Sequence, residues 1–159
     1  DERPLLKQGL ASSSFDGDGL ATREQAFVRD GQLVSYLLST YSGRKLGLPS
    51  TANAGGARNV FVTHGELDQA ALLKKMGTGL LVTEMMGQGV NIVNGDYSRG
   101  AAGFWVENGE IAYPVEEITI AGNLKTMFAG IQAIGNDIET RSSLLTGSIL
   151  IDEMKIAGQ

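Results

Sequence analysis

A hydrolytic metal site needs side chains that can hold the ion, and this sequence offers one histidine and no cysteine. A zinc peptidase of the helical kind requires two histidines one turn apart, with a glutamate beside them to activate water. His64 stands alone in Val62-Thr63-His64-Gly65-Glu66, where a turn or surface role is the plainer alternative. A Ser-His-Asp triad would have to recruit the same His64, and no Gly-x-Ser-x-Gly segment is present to lift a nucleophile out of a strand-helix turn. Paired carboxylates remain: Glu107 and Glu110 flank one turn, and Glu116-Glu117 follow it. Acids at strand edges are commonly solvated faces or guards against edge pairing. No catalytic residue is assigned.

Binding chemistry is better represented. Asn53, Gly55, Gly56 and Arg58 fall in PSTANAGGAR, a loop of hydroxyls, amide and glycine. Its paired glycines either make a turn or expose backbone N–H groups to an anion or a peptide. Asp96, Ser98 and Arg99 form a second polar run. Arg99 can hold a peptide carbonyl or carboxylate, or pair with Asp96 to fix the loop. These seven residues are the candidate substrate or partner contacts. Two other motifs fail on register. Asp16-Gly17-Asp18-Gly19 has a calcium-loop look, yet Leu20 and Phe27 stand where oxygen ligands are needed. GQGVNIVNG, from Gly87, puts Ile92 at the third glycine of a dinucleotide fingerprint. No metal or nucleotide site follows.

A length of 159 residues suits one domain with a sizeable core. Glycine, at 22 residues, is scattered through a chain that is 42% hydrophobic, which implies many turns rather than disorder. A net charge of -5, with no Lys/Arg cluster interleaved with aromatics, leaves no electrostatic footprint for nucleic acid. The apolar runs are far shorter than the ~20 residues of a membrane span.

The elements expected to position these residues begin with a hairpin, Gln25 to Arg29 and Gln32 to Tyr36 around Asp30-Gly31. A short helix through Leu37, Leu38, Tyr41, Lys45 and Leu46 should pack in the core and end at Gly47. Asn59 to Thr63 reads as a strand, Glu66 to Gly77 as an amphipathic helix, and Leu80 to Thr83 as a buried strand. Asn108-Gly109 specifies a two-residue hairpin turn, with Phe104, Val106, Ile111 and Val115 on buried faces. Leu124, Met127, Phe128, Ile131, Ile134 and Ile138 recur at helical spacing behind Asn123 as cap, so one helix is expected there, packed on the sheet with Phe128 and Ile131 among its most buried members. Ser148 to Ile151 closes as a strand. The fold class is α+β: a mostly antiparallel sheet built from hairpins, with two or three packed helices.

The run GDYSRGAAGFWVENGEIAYPVEEITIAGNL, with Lys45-Leu46-Gly47-Leu48, Asn53-Ala54-Gly55-Gly56 and Met154-Lys155-Ile156-Ala157-Gly158, closely resembles the C-terminal part of the PmbA/TldE family. The resemblance covers essentially the whole chain. Members are considerably longer, so 1–159 is expected to be a single C-terminal domain, and the opening DERPLLKQ, without initiator Met or signal peptide, fits an internal start. The resemblance implies a cytoplasmic protein that pairs with a TldD-type subunit, self-associates in a larger assembly and serves a metallopeptidase acting on small unfolded peptides of the microcin-precursor or antitoxin type. Zinc is implied for the TldD-type partner, through a HExxxH motif and a later cysteine, and no cofactor for this chain. The matching text here, Ser143-Leu144-Leu145-Thr146-Gly147-Ser148, has no cysteine. Two other readings stand beside this one: part of a self-sufficient metallopeptidase with upstream ligands, and a non-enzymatic modulator of DNA gyrase acting through protein contact.

Overall fold

The computed structural model describes residues 1–158. In chain order the strands and helices are β1 (Val28–Arg29), β2 (Gln32–Leu33), α1 (Thr40–Leu46), β3 (Val60–Phe61), α2 (Gln69–Met76) and β4 (Gly79–Met86). Then come β5 (Asp96–Glu107), β6 (Glu110–Asn123), α3 (Leu124–Ala129), β7 (Ile131–Ile134), β8 (Leu144–Leu145), β9 (Ile149–Ile151) and β10 (Lys155–Ala157). The expected α+β class holds, with antiparallel pairing throughout except for the parallel β3–β8 pair. The chain divides into two compact units. The first comprises Asp1–Thr63 and Ile138–Thr146, and the second comprises His64–Asp137 and the segment from Gly147 onward.

In the first unit, local sequence decides most turns. Asp30 and Gly31 take φ of 50° and 74°, the left-handed pair that closes a two-residue hairpin between β1 and β2. Ser39 caps α1 through a reciprocal exchange with Ser42, and Gly47 ends the helix in left-handed geometry with φ 68°. The expected apolar packing of this segment fails: Leu38 is buried, but Leu37, Tyr41 and Leu46 are exposed. Helical spacing identified a face without saying what would cover it.

The second unit is built on the sheet β10-β6-β5-β4. Its centre is the long β5–β6 hairpin, closed by Asn108 and Gly109 at φ 53° and 80° with Glu107 paired to Glu110. The two-residue turn is therefore as expected. Ala101, Ile118 and Ile120 form a buried cluster, with Leu80, Val82, Tyr97, Val115 and Met154 packed against it. The register slips between Val82 and Glu84 in β4 and between Ala101 and Gly103 in β5, while Glu117 of β6 takes a positive φ of 55°. These bulges sit on one line across three strands and bend the sheet there.

Two expectations about burial need correction. Val106 is fully buried, but Ile111, its cross-strand partner, is 52% exposed. The reason is the sheet edge: β10 pairs only with Thr119 to Ala121, so β6 has no outer neighbour at Ile111. The helix expected over 124–138 stops at Ala129, with Gly130 as its C-cap, and Ile131–Ile134 becomes β7, paired with β9. Isoleucine spacing suits either element, and the hydrogen-bonding edge of Ile149–Ile151 selects the strand. Asn123 caps α3 as expected, its side chain accepting from the Lys125 N–H. Phe128, however, is 68% exposed. Phe128→Ala should therefore change stability by no more than about 0.5 kcal/mol, the surface range, and urea unfolding of the two proteins would check it.

Candidate functional site

Unit one holds four of the seven candidate contacts, and its loop is organised from within by Glu2. This carboxylate is 2% exposed. It accepts from Asn53 Nδ2 at 3.0 and 2.9 Å, from Gln25 Nε2 at 2.7 Å and from the Arg58 N–H at 2.7 Å. Asn53 Oδ1 accepts in turn from Gln25 Nε2 and the Thr51 hydroxyl. The Asn53 amide is thus fully engaged inside the fold. The Arg58 guanidinium turns back onto the carbonyls of Gly56 and Ala54. Gly55 and Gly56 have φ of 93° and 101°, which only glycine adopts freely. Gly56 donates to the Asn53 carbonyl, while the exposed Gly55 has no backbone acceptor for its N–H among the described residues.

Asp16 completes this framework. Its carboxylate accepts from the N–H groups of Asp18, Leu20 and Ala54, while Asp18 accepts from the Thr40 N–H and hydroxyl. Both aspartates of the calcium-like segment are engaged by donors that position backbone. Burial pushes the Asp16 carboxyl upward, but the backbone donors at Leu20, Ala54 and Asp18 and the charge of Arg58 outweigh it, and the net shift is downward from 3.8. A depressed carboxyl stabilises the fold above the unfolded-state value and loses that contribution as pH falls through the folded-state value. The stability gap between this protein and Asp16→Asn should therefore be largest near neutral pH and shrink below about pH 4. Urea midpoints at pH 7 and pH 3 would measure it.

The other three candidates lie in unit two, at the start of β5. Asp96 accepts from Asn94 Nδ2 at 2.7 Å and from Asn123 Nδ2 at 3.4 Å, closing the loop before the strand. The alternative Asp96–Arg99 ion pair is not made, because residues three apart on a strand point to opposite faces. Ser98 donates its N–H to the Gly89 carbonyl and leaves its hydroxyl exposed. Arg99 is half-buried on the face of Tyr97 and Ala101. Its Nη2 donates to the Met85 carbonyl at 3.4 Å, and among the described residues its occluded Nε has no partner and no carboxylate lies within ion-pair reach.

His64 is exposed, with Nδ1 2.7 Å from the Gly65 carbonyl oxygen. Among the described residues no three His, Asp or Glu side chains converge as a metal site would require. The residues present do not fit a zinc centre. Nor is any helix among them long and apolar enough to cross a membrane. Sequence reasoning missed Glu2, the hub of unit one, since nothing local marks a buried acid. For Asp16, an acid followed by glycine is an Asx-turn signal that could have revealed its role.

Comparison with known proteins matches this architecture to one family. The family model for the PmbA/TldA metallopeptidase C-terminal domain matches residues 1–158. Metalloprotease PmbA of Escherichia coli is 59% identical over 159 residues, which are 100% of this chain and 35% of that protein. A crystal structure from Thermotoga maritima, described as a modulator of a DNA gyrase, superposes with a TM-score of 0.89 at 36% identity, covering 98% of this chain and 38% of that one. TldE from Thermococcus kodakarensis shares the fold at a TM-score of 0.83 and 22% identity, covering 99% of this chain and 39% of that one. The chain spans about a third of the length of these relatives. At this identity and coverage, the chain belongs to the PmbA/TldA metallopeptidase family and matches its C-terminal domain.

Proposed function

We propose that residues 1–159 are the C-terminal domain of the subunit type that does not itself hold the metal in a cytoplasmic two-subunit metallopeptidase. Its partner is a TldD-type subunit that carries the zinc, and its substrates are small unfolded peptides. The observation that carries this reading is the lack, among the described residues, of any converging set of metal ligands in a chain whose relatives are named metalloproteases. Exposed apolar side chains agree with it. Tyr36, Leu37, Tyr41, Leu46 and Leu48 crowd the surface around α1, and Ile92 and Val93 stand out from the loop before β5. Apolar surface of this kind marks protein contact. Arg99, Ser98 and the Gly55 N–H are the groups left free to meet a peptide or partner, whereas Asn53, Gly56, Arg58 and Asp96 act by fixing the loops that carry them.

The test combines elemental analysis with a peptide-cleavage assay on the 159-residue chain, the full-length subunit and a mixture with a TldD-type partner. Stoichiometric zinc and cleavage should appear only in the mixture, and His64→Ala should leave that activity nearly unchanged. Chelator-sensitive cleavage by the full-length subunit alone would favour a self-sufficient peptidase with upstream ligands.

A further inference from the structure

Unit two contains an open groove of about 580 Å³ that none of the candidate contacts uses. Its lining includes Gly122 at the end of β6, Met127 of α3, Met154 of the β9–β10 turn, and the exposed Asp152, Glu153 and Lys155. Met127 lies so closely over residue 122 that only glycine fits there without displacing it. A Cβ there would stand 3.3 Å from Met127 Cγ and Sδ and 3.8 Å from Met154 Cε, and so would project among the thioethers. Both methionines are half-buried, and unbranched, polarisable side chains of this kind adapt to varied apolar partners.

The lining also supplies charge. Asp152 and Glu153 are exposed, and neither has a cation within ion-pair distance among the described residues. The Asp152 N–H donates to the Gly130 carbonyl at 2.8 Å, which anchors the turn carrying both acids. Lys155 offsets one of the two charges. The wider field has the same sign: unit two holds five Lys and Arg against eleven Asp and Glu, a net of -6, so the whole chain's acidity resides there. A cationic ligand is drawn toward such a surface and an anionic one repelled.

We propose that this groove binds an extended segment of another polypeptide in which a lysine or arginine sits beside a large, flexible apolar side chain. The apolar side chain packs on Met127 and Met154, and the cation reaches Asp152 and Glu153. Nucleic acid is disfavoured by the same charge. The proposal does not depend on which subunit holds the metal, so it can fail while the two-subunit reading stands, and the reverse.

Fluorescence anisotropy on the 159-residue chain tests it, with a labelled GSGLRGSG peptide as probe and GSGLEGSG and GSGSRGSG as controls. Each control should bind at least about tenfold more weakly than the probe, and raising salt from about 50 to 500 mM should weaken the probe strongly. The double variant Asp152→Asn/Glu153→Gln changes only exposed side chains and should lower affinity about tenfold. Gly122→Leu forces Met127 from its place in the lining and should lower affinity at least about tenfold. The idea is overturned if GSGLEGSG binds within twofold of the probe, if the probe does not bind at about 1 mM, or if the double variant binds it unchanged. It is equally overturned if sedimentation shows a dimer that the double variant dissociates, since a second copy would then occupy the groove.

Discussion

Asn53→Leu is expected to remove about 2 to 3 kcal/mol of stability, the upper part of the range for deleting one hydrogen-bond partner of a buried acceptor. Leucine keeps the volume but withdraws the amide that donates to both oxygens of Glu2. It also removes the acceptor shared by Gln25 and Thr51. Glu2 would keep only the Gln25 amide and the Arg58 N–H, in a site closed to water. Urea unfolding followed by far-UV circular dichroism measures the loss. A cost below about 1 kcal/mol would mean that Glu2 recovers solvent, and that the network is not what holds the loop. The outcome bears on function as well. If Asn53 acts by shaping its loop, its replacement should lower stability in parallel with any loss of partner or peptide binding, whereas a direct contact would lose binding with stability intact.

Gly103→Ala should be comparably damaging, at about 3 kcal/mol or more, the upper end of the range for overpacking. A Cβ at this position would lie 1.9 Å from the Leu81 carbonyl oxygen, so the backbone of β4 or β5 would have to move. The glycine sits where the registers of β5 and both its neighbours slip, and so it permits the bend of the sheet. Gly100→Ala in the same strand is the control. Its Cβ would meet Met86 Cβ at an ordinary 3.5 Å, and replacing a strand glycine without a clash should be neutral or gain up to about 1 kcal/mol. Equal losses at the two positions would show that strand flexibility, not close approach, matters at Gly103.

Sequence by itself determined the features set by short-range stereochemistry. Asn108-Gly109 and Asp30-Gly31 specify their turns because few residues accept positive φ at two successive positions. Asn123 and Gly47 mark helix boundaries because they satisfy terminal backbone groups locally. The family was legible through one continuous run of residues. For the seven candidate contacts, the side-chain chemistry was legible but the hydrogen-bond partners were not.

Tertiary structure decided whatever depends on a neighbour distant in sequence. Ile131 and Ile134 fit a helical stripe until β9 supplies a strand edge, and Ile111 alternates correctly yet lies where β6 has no outer partner. Asn53 reads as a free loop amide until Glu2, 51 residues away, takes up its N–H groups. Arg99 and Asp96 look like a pair until the strand turns them to opposite faces. A side chain's type and spacing fix which bonds it can make, and only the packed chain fixes which partner reaches it first.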